Sequence, residues 1–295
     1  CPRDERQPFC PFDRVEVSVG GATRHLTIEG SRQGAEDPFT NVFARPNLGA
    51  FQVLRLPKTA ARWVRFDFGE GSGGLGVGSL RLYQSYAHPD LTKVAELLDQ
   101  QIQRGLPGLE PFDAAATKRD WKTACHELRA YYAAKFGPKD KPNPKYDVTR
   151  AQDYADGKLD YAGIVNHQTV PIDWAYMKNG DWYEHKNFLN RGAILGVPVE
   201  AYWHTGDPKW LDQFRAVFYD WIDANPKPTV MSGADYPTWR TLDSAARLGW
   251  LSSRFGKVSV LPGVDDELWA NYLYSIWEHT DYLKNDNFTG GNWLA

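Results

Sequence analysis

Three short clusters carry side chains that can do chemistry on a polar ligand. The first is Asp181-Trp182-Tyr183-Glu184-His185-Lys186, running into Phe188-Leu189-Asn190-Arg191. It puts aromatic, imidazole and cationic groups where a loop enters a helix, a mixture that can stack a sugar ring and pair with an acidic group. The same residues also read as a helix N-terminus with Glu184 as a favourable first-turn charge. The second is Tyr236-Pro237-Thr238-Trp239-Arg240-Thr241-Leu242-Asp243. With Thr238 as N-cap, Trp239 and Arg240 fall in the first helical turn. Arg240 there can grip a carboxylate or sulfate with two donors, or join an ion-pair ladder with Asp243 and Arg247 at i, i+3 and i+7. The third is Phe288-Thr289-Gly290-Gly291-Asn292-Trp293, where two glycines allow a tight bend just before an amide and an indole. Asn287-Phe288-Thr289 also matches a glycosylation sequon.

Other chemistries lack their residues. There is no His-Glu-x-x-His, Cys-x-x-Cys, Gly-x-Ser-x-Gly or Walker motif. The 7 histidines show no metal-ligand spacing, so neither a metal nor another cofactor is expected. The Gly-rich run from Gly69 to Gly74 is no phosphate loop, because no Lys-Ser/Thr pair and no helix follow it. Cys125 lies on an apolar helical face and reads as core packing. Cys1 and Cys10 form either a disulfide of an exported protein or two unpaired thiols. The net charge of −3 excludes a general polyanion-binding tail, and no nucleic-acid partner is expected. No apolar run approaches the roughly 18 residues of a membrane helix, so no membrane partner is expected either. The 12 Trp, 15 Tyr and 14 Phe suit both a packed core and a sugar-stacking cleft.

The elements that must position these clusters fall into two halves, predicted as domains 1–88 and 89–295. From residue 12 to about 85 the pattern has period two, with Val15, Val17 and Val19, then Leu54 and Leu56, then Val64, Phe66 and Phe68, then Leu80 and Leu82. Each set predicts one buried and one wet strand face. Breaks fall at Gly20-Gly21, Pro46-Asn47 and Gly69–Gly74, and the spacing suggests an antiparallel β-sandwich. From residue 89 the period turns helical. Helices are expected near 90–104, 112–136, 185–204, 208–224, 239–255 and 265–284, as antiparallel pairs with no strands between them. Asp207-Pro208 should start the fourth and Asn225-Pro226 should stop it, while Pro198 should kink or interrupt the third. The long connection 137–183 reads as an ordered, aromatic-rich wall rather than a surface excursion. The fold class expected is mixed, β then α.

In this order, the clusters resemble the heparinase II/III-like polysaccharide lyases. The likeness runs from Trp182-Tyr183 and Asn190-Arg191 through Ala201–Trp210, Asp220–Pro226 and Trp239–Leu248 to Gly291-Asn292-Trp293, or about residues 170–295. The stretch Ala61-Arg62-Trp63-Val64-Arg65-Phe66 looks like a galactose-binding-type sandwich. The resemblance implies an (α/α) toroid, here incomplete, and cleavage of a uronate-containing polysaccharide by β-elimination. It implies that Asn292 neutralises the uronate carboxylate, with Trp239, Arg240, Tyr236, Trp182, His185 and Trp293 as substrate-binding candidates. In the family the catalytic Tyr and a later His lie downstream of that Asn. A C-terminal continuation or companion chain is therefore expected to carry the remaining catalytic residues. Two alternatives stay open. One is a glycoside hydrolase on a similar toroid, with Asp243 and Glu184 as carboxylates; the other is a non-catalytic carbohydrate-binding module. The chain opens at Cys1 without an initiator Met, which suggests a processed or trimmed product and fits export, and the lyase reading expects a secreted or periplasmic protein.

Overall fold

The computed structural model describes residues 10–20, 24–31, 38–48, 51–61, 63–69, 76–83, 88–161, 164–172, 174, 188–227 and 238–285. Six strands form one compact unit, and a hairpin with eight helices, counted among the described residues, forms a second.

In the strand unit, β1 (Cys10–Gly20) lies between β4 (Phe51–Ala61) and β6 (Gly76–Tyr83). In a second sheet, β2 (Arg24–Ser31) lies between β3 (Thr40–Leu48) and β5 (Trp63–Asp67). All four pairings are antiparallel. The alternation places the core as expected for the central strand β1. Val15, Val17, Leu26 and Ile28 are fully buried, with Val64, Phe66 and Phe68 packed against them. The edge strand β6 departs from expectation. Leu82 and Leu80 pair with Val15 and Val17, yet remain 41% and 38% exposed. Pro46 does not end β3. It lies where the register against β2 shifts, on an edge strand that can do without its ladder N–H.

The helical unit runs α1 (Leu91–Asp99), α2 (Glu110–Thr117), α3 (Trp121–Phe136), α4 (Thr149–Ala155), α5 (Ala193–Thr205), α6 (Pro208–Ala224), α7 (Thr241–Val260) and α8 (Asp266–Asn285). Helix α6 has the predicted bounds. The Asp207 carboxylate accepts from the Lys209 N–H, and Pro208 occupies the first turn. The single helix expected over 112–136 is two. Arg119 takes φ 56°, and Asp120 then caps the Thr123 N–H. Pro198 does not interrupt α5, which continues past it as a buried helix. The segment 137–183 also holds a hairpin of β7 (Lys158–Tyr161) and β8 (Ile164–His167) that the sequence reading left out.

Helix α7 packs on α3, α5 and α8. Two contacts fix its C-terminal end. Arg129 of α3 donates to the carbonyls of Ser259 and Leu261, which the end of the helix leaves unpaired, and to that of Val264 in the turn that follows. Gly256 lets the backbone at Phe136 come close, since a Cβ at 256 would lie 2.1 Å from the Phe136 carbonyl oxygen. Gly256→Ala must therefore push α7 off α3. We expect a loss of about 1–3 kcal/mol, as for other overpacked contacts, read from urea denaturation.

Candidate functional site

The N-terminal end of α7 holds a buried polar network, formed where Asn190–Gly192 and Thr238–Arg240 meet. Its centre is Arg247, fully buried on the second turn of α7. The Arg247 guanidinium donates through Nε to His279 Nε2 (2.7 Å) and through Nη2 to the Thr238 carbonyl (2.9 Å). Nη1 donates to the Asn190 carbonyl, and Nη2 also reaches the Ser244 hydroxyl at 3.4 Å. The cation lies over the Trp221 ring at 4.1 Å. These partners are neutral, so burial pulls the Arg247 pKa down to about 9, against the opposing pull of Asp243. The group remains charged at neutral pH.

His279, on α8, is fully buried too. Its Nδ1 lies 2.7 Å from the Ser275 carbonyl. A carbonyl can only accept, so Nδ1 carries the proton and Nε2 receives the Arg247 N–H. Burial, then the adjacent cation, holds its pKa well below the usual value. It is a neutral acceptor rather than a proton shuttle.

Asp243 forms the second centre. It is fully buried and accepts from Arg191 Nε at 2.8 Å and from Arg240 Nε at 2.8 Å. Arg240 Nη2 adds a 3.3 Å bond. Of the two readings open for Arg240, the ion pair is present: its Nε and Nη2 face Asp243. As a hydrolase candidate, Asp243 is committed to two guanidiniums and lies away from solvent.

Trp239 departs from the expectation of a cleft wall. It is 1% exposed, its indole N–H donates to the Asn225 carbonyl at 2.9 Å, and its ring stacks on His279 with centroids 4.6 Å apart. A buried indole with its donor satisfied is a core residue. The physical reason is the helix start. Helix α7 opens at Thr241 with Arg240 as N-cap, two residues later than expected, so Trp239 precedes the helix and turns inward. Asn292, Trp293, Tyr236, Trp182, His185 and Glu184 lie outside the described residues, as does Cys1. Cys125 is core as expected, and burial pushes its thiol up to about 12, which leaves no thiolate nucleophile.

Sequence reasoning gave no role to His279. Helical spacing alone gives α8 an apolar stripe of Trp269, Tyr272, Leu273, Ile276 and Trp277. The fully covered face is instead Leu268, Trp269, Tyr272, Ser275, His279 and Tyr282. A polar residue at helical spacing within that face was the available signal. Its neighbour Glu278 carries a carboxyl that burial raises to about 7.

The family described as heparinase II/III N-terminus matches residues 99–295. A heparin-sulfate lyase of Bacteroides thetaiotaomicron is 24% identical over 231 residues, which are 70% of this chain and 32% of the relative. A crystal structure of a heparan sulfate lyase from Pedobacter heparinus superposes with a TM-score of 0.56 at 20% identity, covering 68% of this chain and 33% of that one. A heparinase III structure gives 0.55 at 19% identity, covering 67% and 34%. At these identities the two structures speak for the fold alone. The chain spans about a third of the length of the curated relative it matches. That relative carries the matched segment within one longer polypeptide, which lends no support to a separate companion chain.

Two outcomes follow from the network. Asp243→Asn removes the charge that two guanidiniums share and leaves them facing a neutral amide. A loss of roughly 3–5 kcal/mol is expected in denaturant titration, as for other broken buried pairs. For Glu278 the sign is opposite to the usual carboxylate. Its folded pKa of about 7 lies above the ordinary 4.5, so the folded state holds the proton more tightly. Stability therefore falls as pH rises from about 4.5 to 7 and then levels off. Glu278→Gln should match the parent protein's melting temperature at pH 4 and exceed it at pH 8.

Proposed function

We infer, since the chain belongs to the heparinase II/III family by its match over residues 99–295, that it forms part of a polysaccharide lyase acting on a uronate-containing polysaccharide. That match is the observation that carries the reading. A relative named as a heparin-sulfate lyase supports an acidic polysaccharide as the substrate class. The reading takes the helical unit as part of an (α/α) toroid and the strand unit as a galactose-binding-like β-sandwich. It places the protein outside the cytoplasm, secreted or periplasmic.

The reaction sets what the site must supply. The uronate C5–H bond breaks and its electron pair forms the C4–C5 double bond. The C4–O bond breaks, and the leaving oxygen takes up a proton. The C5 proton is acidic only because a carboxylate lies beside it. Donors that neutralise that carboxylate stabilise the enolate-like intermediate. Asn292 is proposed as such a donor, with Trp182, His185, Tyr236 and Trp293 lining the subsites. Arg240, at the N-cap of α7, pairs with the buried Asp243 of the same helix. The elimination moves a proton and an electron pair within the substrate, so it calls for no cofactor. The residues that remove and return the proton are left unassigned in this chain.

The test uses the protein produced from its complete gene with heparan sulfate, hyaluronan, alginate, glucuronan and ulvan as substrates. A lyase gives products whose conjugated double bond absorbs in the ultraviolet. Asn292→Ala should lower that rate by about 10²–10³-fold, the usual cost of one preorganised donor. Reducing ends released without absorbance would make the protein a hydrolase. Oligosaccharide binding without either signal would make it a binding module.

A further inference from the structure

The end of α3 and the segment after it carry charge that the helical core does not use. Residues 135–145 read Lys-Phe-Gly-Pro-Lys-Asp-Lys-Pro-Asn-Pro-Lys, with four lysines against one acid. Lys135, Lys139, Lys141 and Lys145 are all exposed. Asp140 does not neutralise them, because its carboxylate faces Lys257 of α7 at 3.0 Å. No described carboxylate lies within ion-pairing distance of any of the four. The net charge of −3 belongs to the whole chain, and this stretch stands out against it as locally positive.

The segment is also fastened. The Asn143 N–H donates to His204 Nδ1 on α5 at 2.9 Å, and the Tyr146 ring stacks on the same imidazole with centroids 4.3 Å apart. Glu200 of α5 lies beneath both ties, 2.7 Å from Lys257 Nζ and 3.7 Å from His204 Nε2. Within the segment, the Asn143 side chain accepts from the Lys145 N–H at 3.0 Å. Pro138, Pro142 and Pro144 fix their own φ and hold the residue before each of them extended. Lysines on a loose loop are ordinary solvation. A stiff loop whose one acid is tied to the helices, and whose lysines stay in water, keeps its charge in one place before any ligand arrives.

An aromatic ring completes the surface. Phe136, the last residue of α3, is 51% exposed. Its ring stacks on Tyr132 with centroids 5.8 Å apart, and Lys135 Nζ lies 5.7 Å from its centroid. An exposed ring beside cations offers apolar contact to the C–H face of a sugar and ammonium groups to its acidic substituents. A compact ammonium meets sulfate and carboxylate alike.

We propose that residues 135–145 form an accessory docking surface for an anionic polysaccharide, with a sugar ring against Phe136 and the acidic groups met by Lys139, Lys141 and Lys145. The class of partner rests on the lyase reading; the surface itself requires no turnover. By holding a long chain at a second place, it raises the affinity for polymer without touching the bond that breaks.

The test uses the protein produced from its complete gene, with dextran sulfate and carboxymethyl dextran as probes. Neither contains a uronate, so neither can undergo the elimination, and together they separate sulfate from carboxylate recognition. Uncharged dextran gives the baseline. The triple variant Lys139→Ala, Lys141→Ala, Lys145→Ala should lose roughly ten-fold in affinity at low ionic strength for whichever charged dextran binds, the scale of a few exposed ion pairs. Added salt should erase the difference. Phe136→Ala should lose a few-fold. Lys93→Ala, Lys118→Ala, Lys122→Ala removes the same charge from α1 and from the N-terminal end and approach of α3, and should change nothing. On a polysaccharide that the protein cleaves, the loop variant should raise KM and leave kcat unchanged. Binding of neither charged dextran overturns the proposal, as does unchanged affinity in the loop variant or an equal loss in the control. A DNA duplex bound as tightly as the dextrans, and weakened equally by the loop variant, overturns the assignment to polysaccharide. If the parent protein binds a charged dextran but cleaves no uronate polysaccharide, the lyase reading fails and the surface stands.

Discussion

A guanidinium taken out of water has to find acceptors for its N–H donors, and few arrangements in a helical core supply them. Helical carbonyls are already used, and apolar side chains offer none. Arg247 finds acceptors at the carbonyl of Asn190, where the helical turn 188–190 stops, at that of Thr238, which precedes α7, and on one imidazole. The placement of much else follows. Trp239 turns inward to stack on the imidazole. Gly192 is without a side chain because the Arg247 stem occupies that space. His279 must be neutral, because a second cation beside the first would be unfavourable.

The ionic arrangement around it suits a site for acidic ligands. Asp243 is shared by Arg191 and Arg240, both of which remain partly accessible, at 21% and 16% of their side-chain surface. Fixing two guanidiniums on one buried carboxylate settles their planes before a ligand arrives. An anion meeting such groups would not have to order them, and that ordering is a large part of what binding costs. The dipole of α7, whose N-terminal end lies at the same place, favours negative charge there.

Parts of this were legible in the sequence, for physical reasons that can be named. Helix α6 could be read to the residue because Asp207, Pro208 and Asn225 each act locally on their own backbone. Strand β1 could be read because Val15 and Val17 alternate and are buried, whereas the equally buried Leu26 and Ile28 of β2 went unread. The break between α2 and α3 could not, since Arg119 adopts a left-handed conformation with no glycine to mark it. The hairpin of β7 and β8 was missed because four-residue strands are too short to establish a period. Trp239 shows the limit most clearly. An indole just before a helix reads the same whether it lines a cleft or fills a core, and a shift of two residues in the helix start decides between them. Arg240, Asp243 and Arg247 were visible as a ladder. The ladder's reach to Asn190, Arg191 and His279 depends on tertiary contact and has no local signature.

The missing side chain at Gly192 also bears on how such a protein can be altered. Position 192 and the stem of Arg247 occupy one small volume from opposite sides, while positions 190 and 238 complete the same junction. None of the four is an independent variable. A change at any one of them has to be matched at the others, so the junction is altered as a whole or not at all.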